Sequence, residues 1–278
     1  MSNWSLSALE KRRLKGHVGS SPTSSALVSI KFITLNLWKG GEMWESILRF
    51  LQAEKPDILV TQETYNGVGK QWAPRLQSVE LIKNALEFPD VVFAGTRKEQ
   101  HGGARLENGN AIFSRYPIVA NDSRFFDVPY DEHYVEKHGD YTQLPRAMQL
   151  ATLDYNGTPL HVGNVHGIWG FDGNDSPRRI AMAETIVAEI TGKASLILAG
   201  DFNMQEGTES ISKIEAVAPS VFKGKLQSTF NMRRKSNPGY ATAIVDMVFA
   251  TPDAKIISAT MPDVDISDHM PLVVEVAI

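Results

Sequence analysis

Short apolar segments recur along this chain, and several of them end at or next to a carboxylate, amide or imidazole side chain. They are rich in β-branched and aromatic residues, which is typical of strands. The segments predicted to be strands span residues 29–37, 57–61, 111–115, 148–155, 159–166, 195–200, 243–250, 254–261 and 271–278. Residues 42–54 and 176–190 instead carry apolar side chains at helical spacing. This alternation predicts an α/β (α+β) fold in which mixed sheets are covered by helices.

Local signals indicate how these segments connect. Asn156-Gly157 predicts a tight hairpin between the flanking strands, because a type I′ turn needs positive φ at both central positions. No repeat or linker divides the remainder, so residues 29–278 are predicted to form a single domain. Residues 1–28 carry the basic run KRRLK and a Gly/Ser/Thr/Pro-rich stretch. We interpret them as a flexible leader, with a basic arm for nucleic acid as the alternative.

Composition excludes several classes of protein. The 278 residues include no cysteine, which excludes disulfide scaffolds, cysteine-type zinc sites, iron–sulfur centres and cysteine nucleophiles. The formal net charge of −4 argues against holding nucleic acid by bulk charge, but not against an enzyme that contacts phosphate in one cleft. We see no apolar run long enough to span a bilayer and no secretory signal. We therefore expect a cytoplasmic monomer.

Polar side chains collect at the ends of the predicted strands. They are Asn36, Glu63, Asn164, His166, Asp201, Asn203, Asp268 and His269, while Asp246 lies inside an apolar strand. Because sites in α/β proteins form where strands end, we expect these groups to converge. Individually they have simpler explanations, such as a solvated carboxylate or a helix cap. Asp246 is harder to explain in this way, since a buried unpaired carboxylate costs several kcal/mol and needs a partner.

The chemistry of this set is consistent. Carboxylates and amide oxygens are ligands that Mg²⁺ prefers. Two histidines with an aspartate partner supply acid and base groups near neutral pH. Phosphoryl transfer uses this combination of groups.

Seven motifs carry a family resemblance. They are TLNLW (34–38), VTQET (60–64), GNAIFSRYPI (109–118), NVHG (164–167), AGDFN (199–203), VDMVF (245–249) and SDHMPL (267–272). Together, and in this order, they resemble the DNase I-like endonuclease/exonuclease/phosphatase superfamily of Mg²⁺-dependent phosphodiesterases. The resemblance covers about residues 30–278 and implies a four-layer α/β/β/α sandwich of two mixed sheets.

The resemblance also implies a metal site. Glu63 would be the principal carboxylate ligand, with Asn36 beside it and Asp268 nearby. Mg²⁺ is the expected ion, and Mn²⁺ is a possible substitute.

The remaining roles implied by the resemblance concern the phosphate. Asp201 would position or deprotonate the attacking water, and Asn203 would contact the phosphate. His269 would bind the scissile phosphate or act as a base, with Asp246 as its orienting carboxylate. His166 resembles the second histidine of the DNase I and sphingomyelinase branches, a candidate general acid or phosphate contact.

Further residues are candidate substrate contacts. Asn164 lies two residues before His166 and therefore on the same face of its strand. Arg146, before a strand, and Arg178 or its neighbour Arg179, at a helix start, could reach a phosphate. For the arginines, a surface charge is the alternative.

Several segments remain open to two interpretations. Residues 131–146 read as a solvated or substrate-covering loop, with a second metal site (His133, Glu136, His138, Asp140) as the alternative. Residues 101–103 read as a mobile loop beside the cleft. Trp38 and Trp169 could stack bases or simply pack. The basic run 233–235 could contact a polyanion or be solvated.

These observations predict a Mg²⁺-dependent phosphodiester hydrolase with nucleic acid as the favoured substrate. The alternative is a phosphatase or phospholipase C-like enzyme acting on a sugar- or lipid-phosphate. A catalytically inactive binding module would show broken motifs, and here the motifs are intact.

Overall fold

The computed structural model describes residues 29–137, 139–235 and 243–278. The leader predicted for residues 1–28 lies outside the described residues, as do His138 and the end of the basic loop at residues 237–239.

Strands and helices alternate through the described chain. In order they are β1 (Ile30–Asn36), α1 (Trp44–Glu54), β2 (Ile58–Tyr65), α2 (Ser78–Leu86), β3 (Asp90–His101), β4 (Ala104–Ser114), β5 (Ile118–Phe125), β6 (Ala147–Tyr155), β7 (Thr158–His166), α3 (Pro177–Ile190), β8 (Leu196–Asp201), α4 (Glu209–Glu215), β9 (Asp246–Ala250), β10 (Lys255–Thr260) and β11 (Leu272–Ala277). Among the helices of these described ranges, none has the length and apolar character needed to cross a bilayer.

The strands form two mixed sheets. The first has the order β10-β11-β1-β2-β4-β3, and the second has the order β5-β6-β7-β8-β9. The pairs β1–β2 and β7–β8 are parallel and the other neighbours are antiparallel. Both sheets turn an apolar face to the interior, where Phe32 and Val60 of the first share a buried cluster with Ile197 and Val248 of the second.

Helices cover the outer faces of both sheets. Ile47 of α1 and Ile82 of α2 are buried in one cluster with Leu35 of the first sheet. Ile186 of α3 and Ile211 of α4 are buried in another with Leu198 of the second sheet. The four-layer α/β/β/α sandwich predicted from the motifs is therefore confirmed.

The predicted hairpin turn and the predicted start of the second long helix are both present in the structure. Asn156 and Gly157 have φ values of 52° and 85°, as a type I′ turn between β6 and β7 requires. The side chain of Ser176 caps α3 by accepting a hydrogen bond from the backbone N–H of Arg179, with Pro177 in the first helical turn.

The first sheet departs from the sequence prediction in several places. β2 runs on to Tyr65 through an irregularity between Thr61 and Thr64. The predictions did not include β3 or α2, nor β5 in the second sheet or α4 outside it. Gly102-Gly103, predicted to lie in a mobile loop, forms the two-residue turn between β3 and β4. β3 and β5 are only partly buried, so they lack the apolar run that identifies the central strands.

Candidate active site

Three strand ends of the second sheet bring polar side chains side by side. In the pairing register His166 lies opposite Asp201, and Asp201 lies opposite Asp246. Facing them across the sandwich, Asn36 at the end of β1 donates a hydrogen bond from Nδ2 to Asp201 Oδ2 at 3.1 Å. The predicted convergence of strand ends thus has a physical basis in the register of both sheets.

His269 and Asp246 form a buried pair next to Asp201. His269 Nδ1 lies 2.8 Å from Asp246 Oδ2, and its Nε2 lies 3.9 Å from Asp201 Oδ2. Burial alone would lower the pKa of His269, but the negative charges of Asp246, Asp201 and Asp268 outweigh it and raise the pKa to about 9. The imidazole therefore carries a proton at neutral pH. Asp246 orients the imidazole, and His269 is in turn the partner that this buried carboxylate needs.

Asp201 has the character of a base that works near neutral pH. Burial raises the pKa of its carboxyl to about 6, although the positive charge of His269 opposes the shift. Asp201 Oδ1 accepts a hydrogen bond of 2.9 Å from the backbone N–H of Asn203. A fixed carboxylate of this pKa can accept a proton from a water molecule.

The second histidine differs from the first in charge. His166 lies 3.6 Å from Asp201 Oδ2, but it also contacts the guanidinium of Arg146. Burial, followed by the positive charges of Arg146 and Arg97, lowers the pKa of His166 well below its ordinary value. A neutral His166 suits a hydrogen-bonding contact to phosphate better than a general acid.

Oxygen ligands for a divalent cation lie near the ends of β1 and β2. Glu63 Oε2 accepts a hydrogen bond of 2.7 Å from the backbone N–H of Lys39, and Asn36 Oδ1 accepts one of 3.0 Å from Trp38. Carboxylate and amide oxygens of this kind fit a hard cation such as Mg²⁺. Asp268 also lines the cavity but pairs with Lys235 Nζ at 2.7 Å.

Asp201, Asp246 and His269 could also hold a cation, since their ligand atoms lie within 4.8 Å of one another. In that cluster, however, His269 Nδ1 is already bonded to Asp246, and a protonated imidazole has no lone pair to offer. The oxygens of Glu63 and Asn36, which accept from the adjacent N–H groups of Lys39 and Trp38, therefore suit a metal ion better.

Four residues lining the cavity have left-handed backbone conformations. The φ values are 58° for Trp38, 51° for Lys39, 55° for Glu63 and 54° for Asn203. Residues other than glycine rarely adopt this conformation, which costs about 1–2 kcal/mol each. Here it aims the Lys39 N–H at the Glu63 carboxylate and places the Asn203 N–H on Asp201.

Two predicted substrate contacts are placed elsewhere, which corrects their assignment. Arg178 contacts Asp127 and does not line the cavity. Its neighbour Arg179 is buried and donates to the backbone oxygens of Ile168 and Asn203. Arg179 thus supports the loop that carries Asn203.

Asn164 is the second correction, because it is sealed between the two sheets. Its Nδ2 donates to the backbone oxygens of Thr61 and Ala111 at 3.0 Å each, and its Oδ1 accepts from Gln62 Nε2 at 2.7 Å. It shares a strand face with His166, but His166 ends the strand whereas Asn164 lies under the opposite sheet. Asn164 is therefore a structural bridge between the sheets.

Replacing Asn164 by leucine is expected to lower the free energy of unfolding by about 2–4 kcal/mol, because three buried polar groups would lose their partner. Urea denaturation followed by circular dichroism measures this change. Asn84→Leu, on the exposed side of α2, serves as the control and should differ little from the parent. Equal unfolding midpoints for both variants would contradict the bridging role.

A cavity of about 820 Å³ extends from this cluster to the β3–β4 hairpin. Residues 134–136, 141, 144 and 146 of the predicted covering loop line it, together with Trp38 and Trp169. The carboxylates in the loop are not gathered around one point, since Glu136 pairs with Lys39 and Asp140 accepts from Thr142. The described part of the loop therefore covers the cavity.

Several cavity residues on β2, β3 and β4 were not predicted from the sequence. They include Tyr65, Arg97, Glu99 and Asn108, whereas His101 belongs to the segment expected beside the cleft. Arg97 Nε donates to Glu99 Oε1 at 2.6 Å, and the hydroxyl of Tyr65 contacts the same carboxylate. Only a prediction of the long hairpin could have revealed them, because they belong to no motif.

The basic loop is largely neutralised by acidic partners. Arg233 lies 2.7 Å from Asp263, Arg234 Nε lies 2.8 Å from Asp265, and Lys235 pairs with Asp268. These ion pairs reduce the positive charge with which the loop could bind a polyanion.

Comparison with known proteins places this arrangement among related folds. The model of the Endonuclease/Exonuclease/phosphatase family matches residues 33–269. No curated protein sequence matches the chain. The structure is similar to an endonuclease/exonuclease/phosphatase from Beutenbergia cavernae DSM 12333, with a TM-score of 0.69, 17% identity, and coverage of 90% of this chain and 72% of that chain.

Two further solved structures have the same fold. One is a mannosyl-6-phosphatase from Bacteroides thetaiotaomicron VPI-5482, with a TM-score of 0.65, 20% identity, and coverage of 90% of this chain and 100% of that chain. The other is a humanized D. rerio TDP2, with a TM-score of 0.65, 15% identity, and coverage of 90% and 99% respectively. At these identities the likeness shows the shared fold alone.

Proposed function

This chain belongs to the endonuclease/exonuclease/phosphatase family and is a hydrolase of phosphate esters, and we propose that it works with a divalent cation held at Glu63. Asn36 Oδ1 accepts from the Trp38 N–H, next to the Lys39 N–H that Glu63 binds, and so supplies an amide oxygen. Asp268 lines the same cavity as Glu63. Mg²⁺ is the proposed ion, with Mn²⁺ as a substitute, because these cations favour oxygen ligands. When bound, such an ion neutralises charge that develops on the phosphate.

The observation that carries the proposal is the position of Asp201 between two imidazoles. Its Oδ2 lies 3.6 Å from His166 Nε2 and 3.9 Å from His269 Nε2. The three side chains are nearly inaccessible to solvent except through the cavity. A phosphate group placed there meets a base and two hydrogen-bonding rings at once.

Asp201 accepts a proton from the attacking water. The water oxygen bonds to phosphorus while the bond from phosphorus to the alcohol oxygen breaks, and the leaving oxygen is protonated from solvent. His269, held by Asp246, donates from Nε2 to a phosphate oxygen. Since this bond is charge-assisted, it strengthens as negative charge develops.

Arg146 and His166 also bind the phosphate. Arg146 is buried and lines the cavity, and no carboxylate among the described residues lies within ion-pair distance of it. Burial, with the nearby charge of Arg97, lowers the pKa of Arg146 to about 10, so its guanidinium remains charged at neutral pH. A buried cation without a carboxylate partner favours an anionic ligand. Asn203 completes this side of the site.

The size of the cavity favours a small phosphate ester. About 820 Å³ lies within the range of roughly 300–1,000 Å³ typical of small-molecule sites. The ion pairs of residues 233–235 weaken the case for a bound polyanion. Nucleic acid, which the sequence favours, stays a prediction, and the aromatic side chains of Trp38 and Trp169 in the cavity are its support.

A substrate panel tests this function. Purified protein is assayed with Mg²⁺, with Mn²⁺ or with EDTA on plasmid DNA, single-stranded DNA, RNA, bis-p-nitrophenyl phosphate and phosphomonoesters. We expect hydrolysis of the small esters to fall at least about 100-fold in EDTA, because the cation stabilises charge worth several kcal/mol in the transition state. Rates that EDTA leaves unchanged would contradict the metal site. Hydrolysis of nucleic acid but not of the small esters would instead identify nucleic acid, which the sequence favours, as the substrate.

A further inference from the structure

Arg179, in the first turn of α3, is a buried cation that the proposed chemistry does not use. The residue is 3% exposed, although removing a guanidinium from water is costly. Asp172 lies 3.4 Å from Nη1, but its own side chain is largely exposed, so this ion pair is weak. An apolar side chain would serve packing equally well. The hydrogen bonds of the guanidinium are therefore what distinguishes this position.

The guanidinium of Arg179 joins two loops. In the loop after β7, it donates from Nε to the backbone oxygen of Ile168 at 3.1 Å and from Nη1 to that of Asn174 at 2.6 Å. In the loop after β8, it donates from Nη2 to the backbone oxygen of Asn203 at 2.8 Å. Because one rigid plane fixes the directions of these N–H groups, the three bonds hold the two loops in a single relative position.

The loop after β8 fixes the orientation of the proposed base. Asn203 has a left-handed backbone, with a φ of 54°. Its N–H donates to Asp201 Oδ1 at 2.9 Å, and its Nδ2 donates to the backbone oxygen of Gly167 at 3.1 Å. Asparagine tolerates this conformation but is strained in it. Since Arg179 binds the carbonyl oxygen of the same residue, it opposes a relaxation that would turn the N–H away from Asp201.

The loop after β7 contributes a wall of the cavity. Trp169 lines the cavity and packs edge-on against Tyr141 and Phe171, with ring centroids 5.4 and 5.0 Å apart. Gly170 follows directly, and a Cβ added to it would come within 2.9 Å of Arg179 Nη2. The guanidinium therefore fits against the backbone of this wall as well as against the turn that carries Asn203.

We propose that Arg179 is a positioning residue for catalysis, which keeps the Asn203 turn left-handed and so holds Asp201 in its catalytic orientation. The inference rests on the proposed function, since it takes Asp201 as the base. It adds a residue that acts through Asn203 without touching the substrate. Orientation of this kind matters for rate, because a shift of about 1 Å in a catalytic group can cost about 100-fold.

Replacing Arg179 by lysine tests this role, with Arg178→Lys as the matched control on the adjacent residue. Lysine keeps the charge but cannot form three bonds in fixed directions. With Mn²⁺ and bis-p-nitrophenyl phosphate, we expect kcat of Arg179→Lys to fall about 10- to 100-fold and KM to change less than about threefold, because the phosphate contacts remain. Arg178 contacts Asp127 and does not line the cavity, so its variant should keep both values.

Gly170→Ala is a second variant, and it keeps the arginine itself. Its methyl group would displace the guanidinium, so we expect kcat to fall in the same direction. Gly103→Ala is the control, because a Cβ at Gly103 meets no atom within 4 Å. Neither glycine has a left-handed backbone, so alanine adds bulk at both without backbone strain. If Arg179→Lys does not fold, Gly170→Ala decides the point.

Hydrogen exchange of the Asn203 backbone amide, followed by NMR, reports on the turn without any catalysis. We expect this amide to exchange at least about tenfold faster in Arg179→Lys and Gly170→Ala, while the amide of Gly163 inside β7 keeps its rate. An unchanged rate at Asn203, or a kcat within about twofold of the parent, would overturn the positioning role. Equal acceleration at Asn203 and Gly163 would also overturn it, because Arg179 would then stabilise the fold as a whole.

The exchange measurement also separates this inference from the proposed function. A parent protein that hydrolyses no ester, but whose Asn203 amide alone responds to both substitutions, would contradict the proposed function. It would still support Arg179 as the residue that holds the Asn203 turn.

Discussion

An Asp201→Asn variant is expected to hydrolyse phosphate esters about 10³- to 10⁴-fold more slowly than the parent, because the group that accepts the proton of the attacking water is lost. Asparagine has the same shape and can still accept the hydrogen bond from the Asn203 backbone. It also removes a negative charge beside Asp246, so the fold should not lose stability through charge repulsion. The measurement is kcat with saturating metal ion, together with a thermal unfolding curve.

The control for this substitution is Asp122→Asn, an exposed aspartate of β5 paired with Arg124. It makes the same chemical change far from the cavity and should retain full activity. If Asp201→Asn retained activity within tenfold of the parent, Asp201 would not be the base. If Asp201→Asn lost both its activity and its cooperative unfolding transition, the loss of activity would come from misfolding. The activity of Asp201→Glu, which keeps a carboxylate, would then decide whether Asp201 is the base.

Replacing His269 by alanine is expected to lower kcat about 10³-fold, because a charge-assisted donor to the phosphate is lost. Asp246→Asn should have a smaller effect on kcat but change its pH dependence. The negative charge of Asp246 raises the pKa of His269, so its removal lowers that pKa. Activity that requires the imidazolium is present below this pKa and lost above it, so the alkaline limit of the variant moves to lower pH. A pH–rate profile measures the shift.

His161→Ala provides the control, since His161 lies on β7 and bonds to Thr152 rather than lining the cavity. It should leave both kcat and the alkaline limit unchanged. An Asp246→Asn profile shifted to higher pH would contradict the assigned charge of His269. An unchanged profile would mean that His269 does not need its proton for activity.

The catalytic end of the cavity could be predicted from the sequence because its residues are tied to strand ends. Asp201 follows an apolar run typical of a central strand, and Asp246 lies within another. In the structure, the antiparallel register of β8 and β9 then places Asp201 opposite Asp246. The prediction for Asn164 was wrong because the face of a strand can be read from a sequence, whereas the sheet packed against that face cannot.

The hairpin end of the cavity could not be predicted in this way. β3 is a half-buried edge strand whose charged stretch Arg97–Glu99 resembles a loop in the sequence. The partners of these residues lie on other strands, as the contact between Tyr65 and Glu99 shows. The irregular register of β2 turns Glu63 towards the cavity, and no glycine or proline in this part of the sequence indicates it.

The left-handed backbone at Trp38, Lys39, Glu63 and Asn203 has a consequence for how this lineage can change. At each position glycine would relax the backbone and favour folding, yet at Glu63 and Asn203 it would remove the very side chain that the site requires. Selection for stability and selection for catalytic activity therefore act in opposite directions at Glu63 and Asn203. Thermostable variants, natural or engineered, are therefore expected to keep Glu63 and Asn203 and to gain their stability at other positions.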